Sequence, residues 1–168
     1  IAMGPGHKLM QGRYYESLLE ISSHELFHTW NVKYIRPQDM LPYDYSQPNY
    51  SKLHYITEGV TTYYGDLMLW KGKVWSIDRW LKSINGELQS HYSTGAQEHI
   101  SLEEASFNSW TNGYRVETVP NRKISFYTKG YLVSMLLDIH IRRASNDRHS
   151  LDNLMQLMHD KIGKVGKG

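Results

Sequence analysis

Residues 23–30 read Ser23-His24-Glu25-Leu26-Phe27-His28-Thr29-Trp30, "SHELFHTW". Two histidines stand four apart, and a glutamate follows the first. Apolar residues at 18, 19, 21, 26, 27 and 30 recur at helical spacing, and no proline interrupts them, so the stretch predicts a helix from Tyr14 to Val32. On a helix turning about 100° per residue, His28 lies about 40° from His24 and one turn along. Their imidazoles can converge on one ion. Glu25 lies about 60° from His28 on the same arc, where its carboxylate can flank an ion without binding it. A proton acceptor beside a zinc-bound water needs that arrangement. Shuffling this composition produces H-E-x-x-H roughly once in 40 chains, so the surrounding sequence must carry part of the argument.

A hydrolytic zinc takes three protein ligands and leaves one position open. Glu58, in "YITEGVTTYYGD", is the expected third ligand. Twenty-nine residues separate it from His28, and they include the turn-rich stretch 36–52 with three prolines and three tyrosines, enough to reverse the chain. Glu58 then opens a second helix antiparallel to the first. His54, one turn earlier, competes for the same place. Ligating histidines also need an acceptor for the far ring nitrogen. Glu20, one turn before His24, and Asp66, two turns after Glu58, are the candidates.

Helices are expected at Leu53 to Trp70, ended by Gly72, and at Val74 to Tyr92. Ser101 and Glu104 form a capping-box pattern over a short helix at 101–107. A long helix follows from Thr128 to Arg143, with the run "YLVSMLL" buried nearly all round. Ser150 caps a last helix ending near Gly163. Residues 93–100 read as loop, and 108–124 as a polar stretch holding a strand or two. The whole is a single, mainly α domain.

Composition narrows the function classes. The chain has 168 residues, 40% of them apolar and 21% charged, enough for a real core. A net charge of +2 gives no footprint for nucleic acid. No apolar run reaches the ~18 residues of a membrane span. With no cysteine, disulfides, thiolate metal sites and a thiol nucleophile are excluded, while the compartment, cytoplasmic or periplasmic, stays open. Nine histidines and 13 tyrosines are the two excesses. The chain starts at Ile1 and closes on "KIGKVGKG", and it reads as a piece of something longer.

The blocks "SHELFHTWNVKYIRP", "LPYDYSQPNY", "TEGVTTYYGD" and "SFYTKG", in that order, resemble the catalytic domain of the glycyl aminopeptidase family. These are gluzincin zinc metallopeptidases with a thermolysin-like catalytic domain. The likeness runs from about Gly4 to Gly163. It implies a zinc cofactor and a peptide substrate, with His24, His28 and Glu58 as ligands and Glu25 as general base. It also implies Tyr127, in "FYTKG", as hydrogen-bond donor to the tetrahedral oxyanion. By composition alone, a tyrosine among 13 reads as a packing residue.

The likeness further implies removal of small N-terminal residues, glycine or alanine. Residues 1–168 are then the catalytic domain alone. The family's N-terminal β domain, glycine-rich amine-binding strand and C-terminal PDZ-like domain fall outside it. Two other functions fit the same residues: a zinc endopeptidase, and a structural or interaction domain that keeps the fold without catalysis. One departure stands out. The thermolysin pattern has an aspartate four residues after the glutamate ligand, where this chain has Thr62, so the histidines' orienting partner is unassigned.

Overall fold

In the computed structural model, which describes residues 6–113, 124–164 and 166, the first two long helices cross at their small residues. Helix α1 spans Gly12–Phe27 and α2 spans Val60–Lys71. Gly65 lets α2 approach the backbone of His24, since a Cβ there would stand 3.3 Å from His24 N. Ser23 Oγ donates to the Gly65 carbonyl at 2.8 Å, locking the crossing. Helix α3 (Ile77–Tyr92) begins where Ser76 accepts from Arg79 N. The short α4 (Leu102–Phe107) is capped by Ser101, α5 (Phe126–Ala144) by Ser125, and α6 (Leu151–Met158) by a Ser150–Asn153 capping box. Each cap satisfies N–H groups that a helix start leaves open.

The fold is mainly α, as expected. Among the described residues there is no β-strand, only an isolated bridge between Asn31 and Ile35. No helix among them is long and apolar enough to cross a membrane. Residues 109–113 form a π-helical turn, and the rest of the stretch expected to hold strands, 114–123, lies outside the described residues.

The core is aromatic. Phe27 of α1 stacks on Tyr64 of α2 at 4.3 Å, and Tyr63 meets Tyr131 of α5 edge-on at 5.5 Å. The buried hydroxyls find carboxylates: Tyr63 donates to Asp138 and Tyr64 to Asp152, both at 2.8 Å. Asp138 also accepts the Leu151 N–H and the Arg142 guanidinium. These bonds tie α2 to α5 and α6. Most of a tyrosine's stabilising effect is its apolar area, with the hydroxyl pairing removing a desolvation cost.

Two helical expectations need correction. The first helix ends at Phe27, not Val32, because the chain turns sharply after His28 and Val32 takes φ 119°, a left-handed value costly for a β-branched residue. The run "YLVSMLL" is not buried all round. Tyr131, Leu132 and Ser134 face the core, while Val133, Leu136 and Leu137 are exposed, because α5 packs on α2 and α3 along one side only.

Candidate metal centre

The last turn of α1 carries His24 and Glu25, and His28 follows as its C-cap residue. Glu58 comes from a π-helical turn, Tyr55–Gly59, that leads into α2. Such widened turns recur at functional sites because they re-aim side chains and carbonyls. Here Asn31, fully buried, uses its amide to reach the carbonyls of Ile56 at 2.9 Å and Thr57 at 3.2 Å, and the Thr61 hydroxyl at 3.0 Å. One side chain thus clamps the end of α1 to the turn that bears Glu58. The strained Val32 follows directly, and the curl it permits aims the Asn31 carbonyl back at His28.

Glu58 Oε2 lies 3.2 Å from His24 Nε2 and 3.4 Å from His28 Nε2. The three ligand atoms all fall within 4.8 Å of one another, close enough to share one metal ion. Burial alone would raise the Glu58 carboxyl, but hydrogen bonds and charge attraction from both histidines outweigh it and hold the carboxyl down at about 2. Burial works to lower His28, yet its contacts with Glu58, the Asn31 carbonyl and Glu25 prevail and raise it.

The far ring nitrogens are held as a metal site requires. His28 Nδ1 donates to the Asn31 carbonyl at 3.0 Å, which orients the ring and turns Nε2 inward to Glu58. The Thr62 hydroxyl donates to the Glu58 carbonyl at 2.7 Å, so its own lone pair faces His24 Nδ1 at 3.4 Å. The two imidazole Nε2 atoms and Glu58 Oε2 therefore converge, and a metal ion bound there would take the place of the protons these groups share. Neither expected carboxylate fills the orienting role. Glu20 is paired with Arg79, and Asp66 accepts from Ser83. Thr62, the departure from the family pattern, is the residue whose hydroxyl stands at His24 Nδ1.

His54 does not join the group. Its Nε2 is buried without a hydrogen-bond partner, and its ring packs toward Phe126 at 5.8 Å. Among the described residues, the cluster able to hold a metal comprises His24, His28 and Glu58. Glu25 is exposed on the wall of a cavity of roughly 680 Å³ that also contains the three ligand candidates and Tyr127. Tyr127 starts α5, stacks on Phe126 at 4.7 Å and lies 6.3 Å, ring to ring, from His24. Its position depends on a glycine pair: a Cβ on Gly59 would stand 2.5 Å from Gly130 Cα, so the Glu58 turn and α5 touch backbone to backbone. A smaller cavity of roughly 170 Å³ also borders on Tyr127 and Glu58, with His54, Thr57 and Ser109 among its walls beside Val32, Met40, Trp110 and Phe126.

Sequence reasoning missed Asn31 and the Gly59–Gly130 contact. The available signals were the "TWN" that trails the histidines and a glycine just after each of "TE" and "TK"; neither carries chemistry by itself.

A family model described as M61 glycyl aminopeptidase matches residues 17–133, well over half of the chain. The crystal structure of an aminopeptidase N family protein from Idiomarina loihiensis is similar at a TM-score of 0.89 and 31% sequence identity. The match covers 94% of this chain and 27% of that one, so this chain spans about a quarter of its length. No curated protein matches.

Proposed function

Because this chain belongs to the M61 glycyl aminopeptidase family, we propose that it carries the zinc centre of a peptidase that removes small N-terminal residues, glycine or alanine, from peptides. The observation that carries the reading is the convergence of His24 Nε2, His28 Nε2 and Glu58 Oε2, with each histidine's Nδ1 turned to an acceptor. These three atoms would hold zinc, whose Lewis acidity would activate water and polarise the scissile carbonyl. Glu25 takes the proton from the attacking water and hands it to the leaving amine. Tyr127 donates a hydrogen bond to the oxygen that becomes negative.

Glu25→Gln tests the reading. The variant keeps one zinc per chain by elemental analysis and loses turnover of an alanyl peptide by about 10²–10⁴-fold. Turnover retained in that variant overturns the general-base role. Cleavage of amino-blocked peptides as fast as free ones would assign the same machinery to an endopeptidase.

A further inference from the structure

The smaller cavity shares Glu58 and Tyr127 with the larger one as walls, so it adjoins the groups that would face the reacting carbonyl. Val32, Met40, Trp110 and Phe126 make its lining largely apolar. Polar groups on these walls are mostly spent elsewhere. The Thr57 hydroxyl donates to the His54 carbonyl, and the Trp110 indole N–H to the Asn49 carbonyl, both at 3.1 Å. His54 Nε2 is buried out of solvent reach, and the Glu58 carboxylate is turned to His24 and His28. An apolar cavity of about 150 Å³ holds a benzene molecule, and this one measures roughly 170 Å³.

One wall of this cavity is held at a backbone cost. Val32 takes φ 119°, where a branched Cβ crowds the main chain and only glycine rests easily. The local hydrogen bonds do not ask for a valine. The Val32 N–H reaches the Ile35 carbonyl at 2.8 Å, and the Asn31 carbonyl accepts from His28 Nδ1. A glycine at 32 would allow both. What the strain secures is therefore the isopropyl group. That group adds nothing to the helical core: Val32 belongs neither to the buried cluster nor to the partly buried residues packed against it. Its place is the cavity wall beside Glu58 and Tyr127. Strained residues of this kind gather at active sites and ligand clamps, where the surrounding structure enforces them.

We propose that the smaller cavity seats an apolar side chain, up to the size of a phenyl ring, from the residue that follows the cut bond, and that Val32 is a specificity-determining residue of this pocket. The proposal rests on the peptidase reading above and extends it to substrate class. Tyr127 would bond the carbonyl oxygen of the cut bond, so the side chains nearest the cavity are those of the two residues flanking that bond. Their Cα atoms are only about 3.8 Å apart. A glycine or alanine at the N-terminus brings at most one methyl group, which leaves a ring-sized space unfilled. The side chain that fills it belongs to the next residue.

The test uses pentaalanine and its variants with one phenylalanine walked from the first to the fourth position. Binding is measured by calorimetry to zinc-loaded Glu25→Gln protein, and kcat/KM with the unsubstituted protein. Phenylalanine at the second position should exceed alanine by about tenfold or more, the effect of burying one ring. Met40→Trp, which fills the cavity, should bring that ratio toward one. Val32→Gly, which removes a wall, should lower it about threefold or more. Both variants should keep one zinc per chain. Val32→Gly should also melt no lower than Val32→Ala, the reverse of the usual order, because only glycine relieves the strain. A ratio near one at the second position, absent binding, or a preference that survives both substitutions overturns the subsite. A preference at the first position instead gives the cavity to the N-terminal residue, and the proposal fails. If Val32→Ala melts higher than Val32→Gly, the role assigned to Val32 fails. Because binding needs no turnover, a phenylalanine preference without cleavage would defeat the peptidase reading and leave the subsite standing, and cleavage without the preference would do the opposite.

Discussion

Replacing Asp66 by asparagine should stabilise this protein at neutral pH and leave it unchanged in acid. Burial outweighs the Ser83 hydrogen bond, and the like charges of Glu20 and Glu87 add to it, so the Asp66 carboxyl is pushed up to about 6 from its ordinary 3.8. A rise of roughly two units is a preference of about 3 kcal/mol for the neutral form, since each unit is worth about 1.4 kcal/mol. The sign follows from proton counting. Between about pH 4 and pH 6 the folded state binds more protons at Asp66 than the unfolded state does. Stability therefore falls as pH rises through that window, and the full cost is present above it.

Asparagine removes the charge and, like the protonated carboxyl, keeps a neutral hydrogen bond from Ser83, so it gains what the neutral form gains. The expected gain is then about 2–3 kcal/mol at pH 8 and near zero at pH 4, or about 5–10 °C in Tm at pH 8 for a chain of this size. Urea unfolding of both proteins across pH 4–8, at the same metal occupancy, measures the difference directly. A stability difference that does not change with pH would refute the reasoning, as would a variant less stable than the parent at pH 8.

Gly130→Ala should cost about 1–3 kcal/mol or more, because its Cβ would sit 2.8 Å from Gly59 Cα and 2.9 Å from the Tyr55 carbonyl, and backbone cannot step aside. Denaturation together with zinc titration checks this, and an unchanged Tm with unchanged affinity contradicts it. His28→Ala should purify without zinc; elemental analysis that still finds one zinc per chain sinks the ligand assignment. Thr62→Val removes the acceptor facing His24 Nδ1, so zinc affinity should drop about 10–100-fold while stability changes by less than about 1 kcal/mol. Competition with a chelator of known affinity measures the first quantity, and an unaltered affinity means that Thr62 does not orient His24.

Much of the architecture was readable because it rests on local rules. Ser101, Gly72 and Ser150 act at the helix ends where capping chemistry puts them. The boundary errors share one cause. Residues 28–32 have the apolar content of a helix, but the buried Asn31 amide finds its acceptors on a segment about 25 residues away, and the backbone bends to deliver it. The excess burial expected for 131–137 fails for a related reason. An apolar run reports a preference for burial, not which neighbours are present to provide it.

What the sequence determined alone is the donor set. Residue type and helical angle put His24, His28 and Glu25 on one arc, and the chemistry of zinc asked for a further carboxylate, for which Glu58 was the best placed. What only the tertiary structure decided is how those donors are held. The Thr62 hydroxyl stands at His24 Nδ1, the Asn31 carbonyl accepts from His28 Nδ1, and two facing glycines bring the turn bearing Glu58 against α5. Asp66, one of two candidates from the sequence for orienting a histidine, is instead buried and accepts from Ser83. The physical reason is range. Periodicity and capping act over one or two turns, whereas a hydrogen bond or a backbone contact between distant segments exists only once the chain has packed.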